Sequence, residues 1–188
     1  PSIFHAISFS SIVQAIFFSV FQAMFFSSMF QAMFFSSMFQ AMFQAIFVSI
    51  FVNPTQFDKK VDLDNYPSSI DIDLQKIHAI DPNICVFVPS VETIYPDGAT
   101  VKKYDLQGLD KPMEGRHRPG HFDGVATVVE RLFTLIRPDM AYFGQKDFQQ
   151  LQIVSLLAKP MGIRICSLPT VREQNGLAMS SRNRRLTP

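Results

Sequence analysis

The residues best suited to chemistry in this 188-residue chain sit in short polar clusters that follow apolar runs. Gly144-Gln145-Lys146-Asp147 follows the run Met140 to Phe143. Val171-Arg172-Glu173 leads from the run Arg164 to Leu168 toward Met179-Ser180-Ser181-Arg182. Asn53-Pro54-Thr55-Gln56 closes the run Phe47 to Val52. Gly144 would let a ligand come close to the backbone, and a helix starting beside it offers free N–H groups and a positive dipole end to a phosphate. Lys146 adds a point charge, Ser180 and Ser181 offer hydroxyl and backbone donors, and Arg182 can take phosphate oxygens in a two-pronged fork. Singly, each of these is also what a solvated helix start looks like. His117 and His121, in Arg116-His-Arg-Pro-Gly-His-Phe-Asp123, read as hydrogen-bonded loop or pocket-wall residues before they read as catalytic groups.

The elements that must carry these clusters can be read from periodicity. Phe47 to Val52 is a continuous apolar run cut by Asn53-Pro54, which suits a buried parallel strand. Ser68 or Ser69 can cap a helix with Ile70, Leu74 and Ile77 on one face, stopped by Asp81-Pro82. Ile84 to Val88 is a second short strand, and Tyr95-Pro-Asp-Gly98 a turn in which Pro fixes φ and Gly accepts a positive one. After the loop Arg116 to Asp123, the residues Val125, Val128, Val129, Leu132, Phe133 and Ile136 follow a helical face that ends before Pro138. A strand at Met140 to Phe143, a helix at Gln145 to Ala158 with Phe148, Leu151, Val154 and Leu157 on one side, and a strand at Arg164 to Leu168 complete the series. Alternating strands and helices predict an α/β, Rossmann-like, doubly wound parallel sheet, which binds ligands at the C-terminal ends of its strands.

Composition bounds the possibilities. The length suits one domain of about 100 to 200 residues. With 17 Lys plus Arg against 16 Asp plus Glu, the formal charge of +1 gives no bulk attraction toward nucleic acid or an acidic membrane surface. Cys85 and Cys166 both lie in apolar runs, which predicts small buried core residues in a reducing, cytoplasmic setting, with no disulfide and no metal site.

The charge is unevenly placed. No Asp, Glu, Lys or Arg occurs from Pro1 to Phe57, and fifteen of the twenty Phe residues lie there. Phe21 to Met29 repeats identically as Phe30 to Met38, with partial copies at Val13 to Val20, Phe39 to Met42 and Phe43 to Ile50. A nine-residue period is two and a half helical turns and an odd number of strand residues, so successive copies present their Gln on opposite faces. Neither helix nor strand built from it has a solvent face, and the Gly and Asp of calcium-binding nonapeptide β-helices are missing. These residues divide the chain into a low-complexity repeat, 1–46, and a binding domain, 47–188. The repeat is expected to be an irregular or helical appendage that self-associates through Phe and Met, leaving the sheet incomplete at its N-terminus. Deleting residues 1–44 should then improve solubility. A membrane span is disfavoured by the Gln and Ser in each copy and by the absence of flanking Lys or Arg, and no basic n-region marks a signal peptide. The preferred reading is an expanded or misread coding repeat joined to an enzyme body.

Four segments carry a specific resemblance. Ile50 to Phe57, Glu114-Gly115 with Arg118 to Val125, Tyr142 to Leu151, and Pro169 to Glu173 with Gly176 to Asn183 are similar, in order and spacing, to the pantothenate synthetase (pantoate–β-alanine ligase) family. The resemblance covers about residues 47 to 188. It implies a nucleotidyltransferase domain that condenses pantoate with β-alanine through a pantoyl-adenylate, using ATP and Mg²⁺, and a homodimer. Position by position, it implies that Gln56 and Gln150 hold pantoate, with Gln56 also near β-alanine. It places Gly144, Gln145, Lys146, Asp147, Val171, Met179, Ser180, Ser181 and Arg182 at ATP. Val171 and Met179 would flank adenine and Asp147 would accept from the ribose. Lys146 and Arg182 would act on the phosphates as charge builds there, which makes them the catalytic candidates.

The same resemblance shows departures. The family has a Pro-Thr-Met-Gly loop and a His-x-Gly-His helix start ahead of the first matched strand, whose histidines stabilise the α-phosphate; here His5 is the only histidine before that strand. A smaller C-terminal lid domain, which the family has after the segment ending here at Pro188, is expected to be absent. These departures leave an inactive fragment, a catalytically dead ATP or pantoate binder, and a protein whose repeat drives membrane or self-association as the alternatives to a working ligase.

Overall fold

The computed structural model describes residues 14–19, 45–56, 70–180 and 183. Five strands form one parallel sheet: β1 Gln14–Ser19, β2 Ala45–Ile50, β3 Cys85–Phe87, β4 Met140–Gly144 and β5 Arg164–Leu168. Their order across the sheet is β3-β2-β1-β4-β5. The order reverses between β1 and β4, and in open parallel sheets that reversal opens a crevice at the strands' carboxyl ends. The helices are α1 Ile70–Ile80, α2 Val91–Ile94, α3 Met113–His117, α4 His121–Ile136 and α5 Phe148–Ala158.

Side chains alternate along a strand, and apolar residues of β2 and β4 are covered on both faces of the sheet. On one face Phe47, Ala141, Phe143 and Ile165 pack with α4 and α5 through Val125, Val129, Phe133, Leu151 and Val154. On the other, Ile46, Val48, Met140 and Tyr142 pack with Ile77 of α1 and Ile84. This two-sided cover is the expected doubly wound arrangement. The helical face predicted from Val125 to Ile136 is buried at all six of its positions. It ends where Arg137 turns left-handed at φ 50°, its N–H closing on the Phe133 carbonyl at 2.8 Å, ahead of Pro138.

The main correction concerns the charge-free segment. Gln14–Ser19, expected from composition to be part of an undocked appendage, is instead the central strand, paired in parallel with β2 from Gln14↔Ala45 to Ser19↔Ile50 and with β4 from Ala15↔Met140 to Phe17↔Tyr142. The sheet is therefore complete at β1. The physical reason lies in the argument that excluded it: a strand apolar on both sides has no solvent face, and a central strand of a covered parallel sheet needs none. The rest of the repeat, 20–44, lies outside the described residues. β2 also begins inside the compositional repeat, at Ala45 and not Phe47.

Smaller differences have local causes. The stretch 116–123, expected to be a loop, contains the end of α3 and the start of α4, separated by Gly120 at φ 79°. The helix expected from Gln145 opens as a 3-10 turn, Gln145–Asp147, so α5 starts at Phe148, and Phe148 is exposed and off the apolar face. Cys85 is exposed because β3 is a three-residue edge strand, and Cys166 is half-buried; neither is a fully buried core residue. The turn at Tyr95 forms as expected, with Gly98 at φ 93° and its N–H on the Tyr95 carbonyl at 3.1 Å. Ser68 and Ser69 lie outside the described residues.

Phe17 pairs with both Val48 and Tyr142. A proline there removes a ladder donor from the middle of a sheet, where proline is not tolerated. Phe17→Pro is expected to abolish cooperative urea unfolding, and deletion of residues 1–44 to leave the chain unfolded where composition alone suggested better solubility. An unchanged urea midpoint in Phe17→Pro would show that β1 does not pair as described.

Candidate functional site

The candidate site residues lie on the segments that follow β2, β4 and β5 at the carboxyl ends of the strands. After β2, Asn53 is fully buried, and its Oδ1 accepts from the Thr55 N–H at 3.2 Å, the Thr55 hydroxyl at 3.0 Å and the Tyr95 hydroxyl at 2.8 Å. The first of these is a local side-chain turn that bends the backbone into the 3-10 turn Pro54–Gln56, which Gln56 ends. Gly124 of α4 packs against the same turn; a Cβ there would stand 3.3 Å from the Thr55 carbonyl oxygen. Burial holds the Tyr95 phenol above its usual pKa, so at neutral pH it is protonated and donates to Asn53.

After β4, Gly144 is extended at φ −73°, so it serves the strand end and not a left-handed turn. Gln145, Lys146 and Asp147 make the 3-10 turn, and Asp147 stands at the N-cap of α5 with no side-chain cap bond. The first N–H groups of α5 thus have no side-chain acceptor from this cap, as an anion-binding helix start requires. Lys146 reaches Asp147 at 3.3 Å, and Gln145 reaches the Ser167 hydroxyl on β5 at 3.4 Å. That pairing, with the register Gly144↔Leu168, sets the ends of β4 and β5 side by side.

After β5, the chain folds back on itself. Arg172 and Ala178 form an antiparallel bridge, and the Met179 N–H donates to the Val171 carbonyl at 3.0 Å. Val171 and Met179 are therefore neighbours, as two residues on one ligand would have to be. Ser180 is buried and its carbonyl accepts from the Asn183 N–H at 2.9 Å. Ser181 and Arg182 lie outside the described residues.

A cleft of about 140 Å³ opens where Lys146, Asp147, Phe148, Gln149 and Gln150 face Met113, Glu114, Arg118, His121 and Phe122. Arg118 bonds Glu114 at 2.7 Å and lies 3.2 Å from the His121 Nε2, so His121 stands in the pocket wall as expected of it. The cluster after β4 pointed to Lys146 and Asp147 and the family resemblance to Gln150, and the structure brings all three together here. It also brings in residues the sequence did not single out as site groups. Gln149, buried beside Gln150, grips the backbone of 109–115 with both ends of its amide; Met113 and Phe148 give the cleft an exposed apolar rim. The tandem Gln149-Gln150 was visible, but nothing in it says which amide turns to the cleft.

The turn after β4 that lines this cleft stands at the C-terminal end of a parallel strand next to the point where strand order reverses, where open α/β sheets hold ligands. The family model for pantoate–β-alanine ligase matches residues 36–188, and the chain belongs to that family. Among its relatives, the pantothenate synthetase of Flavobacterium psychrophilum is 51% identical over 142 residues, covering 74% of this chain and 50% of the relative. That of Vibrio parahaemolyticus is 50% identical over 145 residues, covering 76% and 48%. Among solved structures, the pantoate–β-alanine ligase of Francisella tularensis, complexed with β,γ-ATP and β-alanine, superposes with a TM-score of 0.80 at 33% identity. It covers 94% of this chain and 66% of that one. The pantothenate synthetase of Thermus thermophilus gives 0.78 at 35% identity, over 95% and 63%. The chain spans about half the length of the curated relatives it matches.

Two substitutions test the site's frame. A Cβ on Gly115 would fall 1.9 Å from the Asp110 carbonyl oxygen, so Gly115→Ala is expected to cost about 1–3 kcal/mol as the loop is forced apart. Tyr95→Phe removes one of three donors to a buried oxygen and is expected to cost about 1 kcal/mol. Urea titrations with unchanged midpoints in both variants would contradict this geometry.

Proposed function

We propose that this chain binds ATP and pantoate in the cleft between the β4–α5 turn and α3, as the binding part of an ATP-dependent ligase that joins pantoate to β-alanine through pantoyl-adenylate. The observation that carries the proposal is the convergence of Lys146, Asp147 and Gln150 at the switch-point end of β4 in a member of this family. Lys146, with Ser180, Ser181 and Arg182, would face the phosphates, Lys146 and Arg182 drawing off charge as pyrophosphate leaves. Asp147 would accept from the ribose hydroxyls. Gly144 and Gln145 would frame the nucleotide, with Val171 and Met179 against adenine. Gln56 and Gln150 would hold the hydroxyls and carboxylate of pantoate, a task suited to amides, which both donate and accept.

In this reading the binding unit runs over 47–188 together with β1 and the start of β2. Among the described residues no group of three or more His, Cys, Asp or Glu could hold a metal ion. Mg²⁺ would therefore have to ride on the ATP phosphates with few protein ligands, as it commonly does. Among the described residues no helix is long and apolar enough to cross a membrane. A cytoplasmic homodimer is part of the proposal and rests on the family resemblance.

A second reading is favoured by one sequence fact: residues 20–44, which connect β1 to β2, contain no histidine. If the family's His-x-Gly-His belongs there, residues 1–188 bind substrates without turning them over at a family-like rate. Losing a preorganised donor to the transition state costs roughly 10²–10³-fold.

Calorimetry is expected to show ATP binding that Lys146→Ala weakens by about 1–3 kcal/mol, the scale of a hydrogen bond to a charged group, and pantoate binding that Gln150→Ala weakens similarly. Equal affinities in wild type and variants would remove the site assignment. In an AMP-release assay, residues 1–188 are expected to turn over at least about 10²-fold more slowly than the Flavobacterium relative. A rate equal to that relative's would show that this chain has other groups at the α-phosphate.

A further inference from the structure

Gln149 and Gln150 are neighbours in the first turn of α5, yet Gln149 is buried at 7% exposure and its amide turns to the opposite wall. Its Oε1 accepts from the N–H groups of Glu114 at 3.1 Å and Gly115 at 3.4 Å. Its Nε2 donates to the carbonyls of Leu109 at 2.7 Å and Pro112 at 2.8 Å. Both donors and both acceptor positions of the carboxamide are filled. Pro112, at the N-cap of α3, makes no side-chain cap bond, so the cap of α3 is supplied from α5.

A cap supplied by α3's own flank would fix only the direction of that helix. One supplied by α5 fixes its distance from α5 as well. The clamped segment needs such a tie: α3 is five residues long, too short to be stable alone, and Met113 at its first position holds a φ of 50°. This segment carries Met113 and Glu114 and leads to Arg118, the wall facing Lys146 and Gln150.

We propose that Gln149 is a positioning residue that sets the width of the cleft, holding the Met113–Arg118 wall in register with Gln150. The link to pantoate rests on the preceding reading of Gln150; the clamp itself does not depend on any ligand. Glutamate is the informative substitute. Ionised, its carboxylate still accepts from Glu114 and Gly115 but sets a negative charge against the carbonyls of Leu109 and Pro112. Protonated, it regains one donor.

The experiment uses the full chain as wild type, Gln149→Ala and Gln149→Glu. Without ligand, amide hydrogen exchange at Glu114 and Gly115 is expected to rise at least about tenfold in Gln149→Ala, while Val129 and Leu132 of α4 keep their protection. With pantoate, the affinity of Gln149→Glu relative to wild type is expected to fall about tenfold or more at pH 8 and to recover in part at pH 5. ATP affinity should change less than about threefold. Unchanged exchange at Glu114 and Gly115 overturns the clamp, and faster exchange with unaltered pantoate affinity overturns the positioning role. If Gln149→Ala loses protection in α4 as well, the pH recovery of Gln149→Glu decides, its presence supporting the proposal and its absence overturning it. If wild type binds no pantoate, the preceding functional reading fails and the exchange measurement alone decides whether Gln149 sets the wall.

Discussion

A parallel sheet covered on both faces has to fill its centre with a strand that is apolar on both sides, and here β1 is that strand. Its ladders join β2 and β3 on one side of the sheet to β4 and β5 on the other. They also create the point where strand order reverses. Without β1 the segment after β2, with Asn53 and Gln56, and the segment after β4, with Lys146 and Gln150, would be joined only through the covering helices, such as α4 where Gly124 packs on Thr55, and not through the sheet. The crevice is a consequence of the middle of the sheet, as the general rule for open parallel sheets requires.

Once the crevice exists, its walls are held by buried amides more than by charge pairs. Asn53 gathers three donors from Thr55 and Tyr95, and Gln149 fills four positions along 109–115. The described ion pairs, such as Lys103 with Asp123 and Arg118 with Glu114, each have at least one partner half exposed or more, where solvent screens the attraction. A buried amide differs because every unfilled position costs desolvation, so the 109–115 segment that fills all four positions of Gln149 is selected over alternatives, while Asn53 fills its oxygen and leaves its buried Nδ2 without a partner among the described residues. The turn that carries Gln56 and the wall that faces Lys146 and Gln150 are thus each tied down by a buried amide.

The legible part of this architecture is the part with ordinary periodicity. Val125 to Ile136 and Arg164 to Leu168 showed their element in their spacing, and the polar clusters at strand ends marked the crevice before any geometry was known. β1 was hidden for a physical reason: sequence reasoning looks for a solvent face, and a central strand has none. Cys85 misled because an apolar run does not say whether it lies at the edge or the centre of a sheet. Gln149 and Gln150 are identical in type and adjacent, so only the direction of the helix start separates a residue that faces the cleft from one that holds its wall. Ser181 and Arg182, singled out by their cluster, lie outside the described residues, and the pantoate roles of Gln56 and Gln150 rest on resemblance alone.

The chemistry left to these residues follows from the difference between binding a substrate and binding a transition state. In the proposed reading, Gln150 near a hydroxyl would interact with the ground state almost as well as with the adenylation transition state, and such a uniform contact lowers the substrate concentration needed without raising the rate, whereas Lys146 would act on charge that grows as pyrophosphate leaves. Rate comes from donors aimed at charge that appears only as the α-phosphate is attacked, which in the family resemblance is the task of two histidines between the first two strands. Here that connection is 20–44, a repeat dominated by Phe, Met, Gln, Ala and Ser with no titratable side chain. The chain therefore pairs a strand contributed by the charge-free segment with a connection that carries neither a cation nor an imidazole for developing charge. Selection on the fold and selection on the chemistry act on different residues of the same βα unit: β1 satisfies the first with apolar content alone, and no apolar content can satisfy the second.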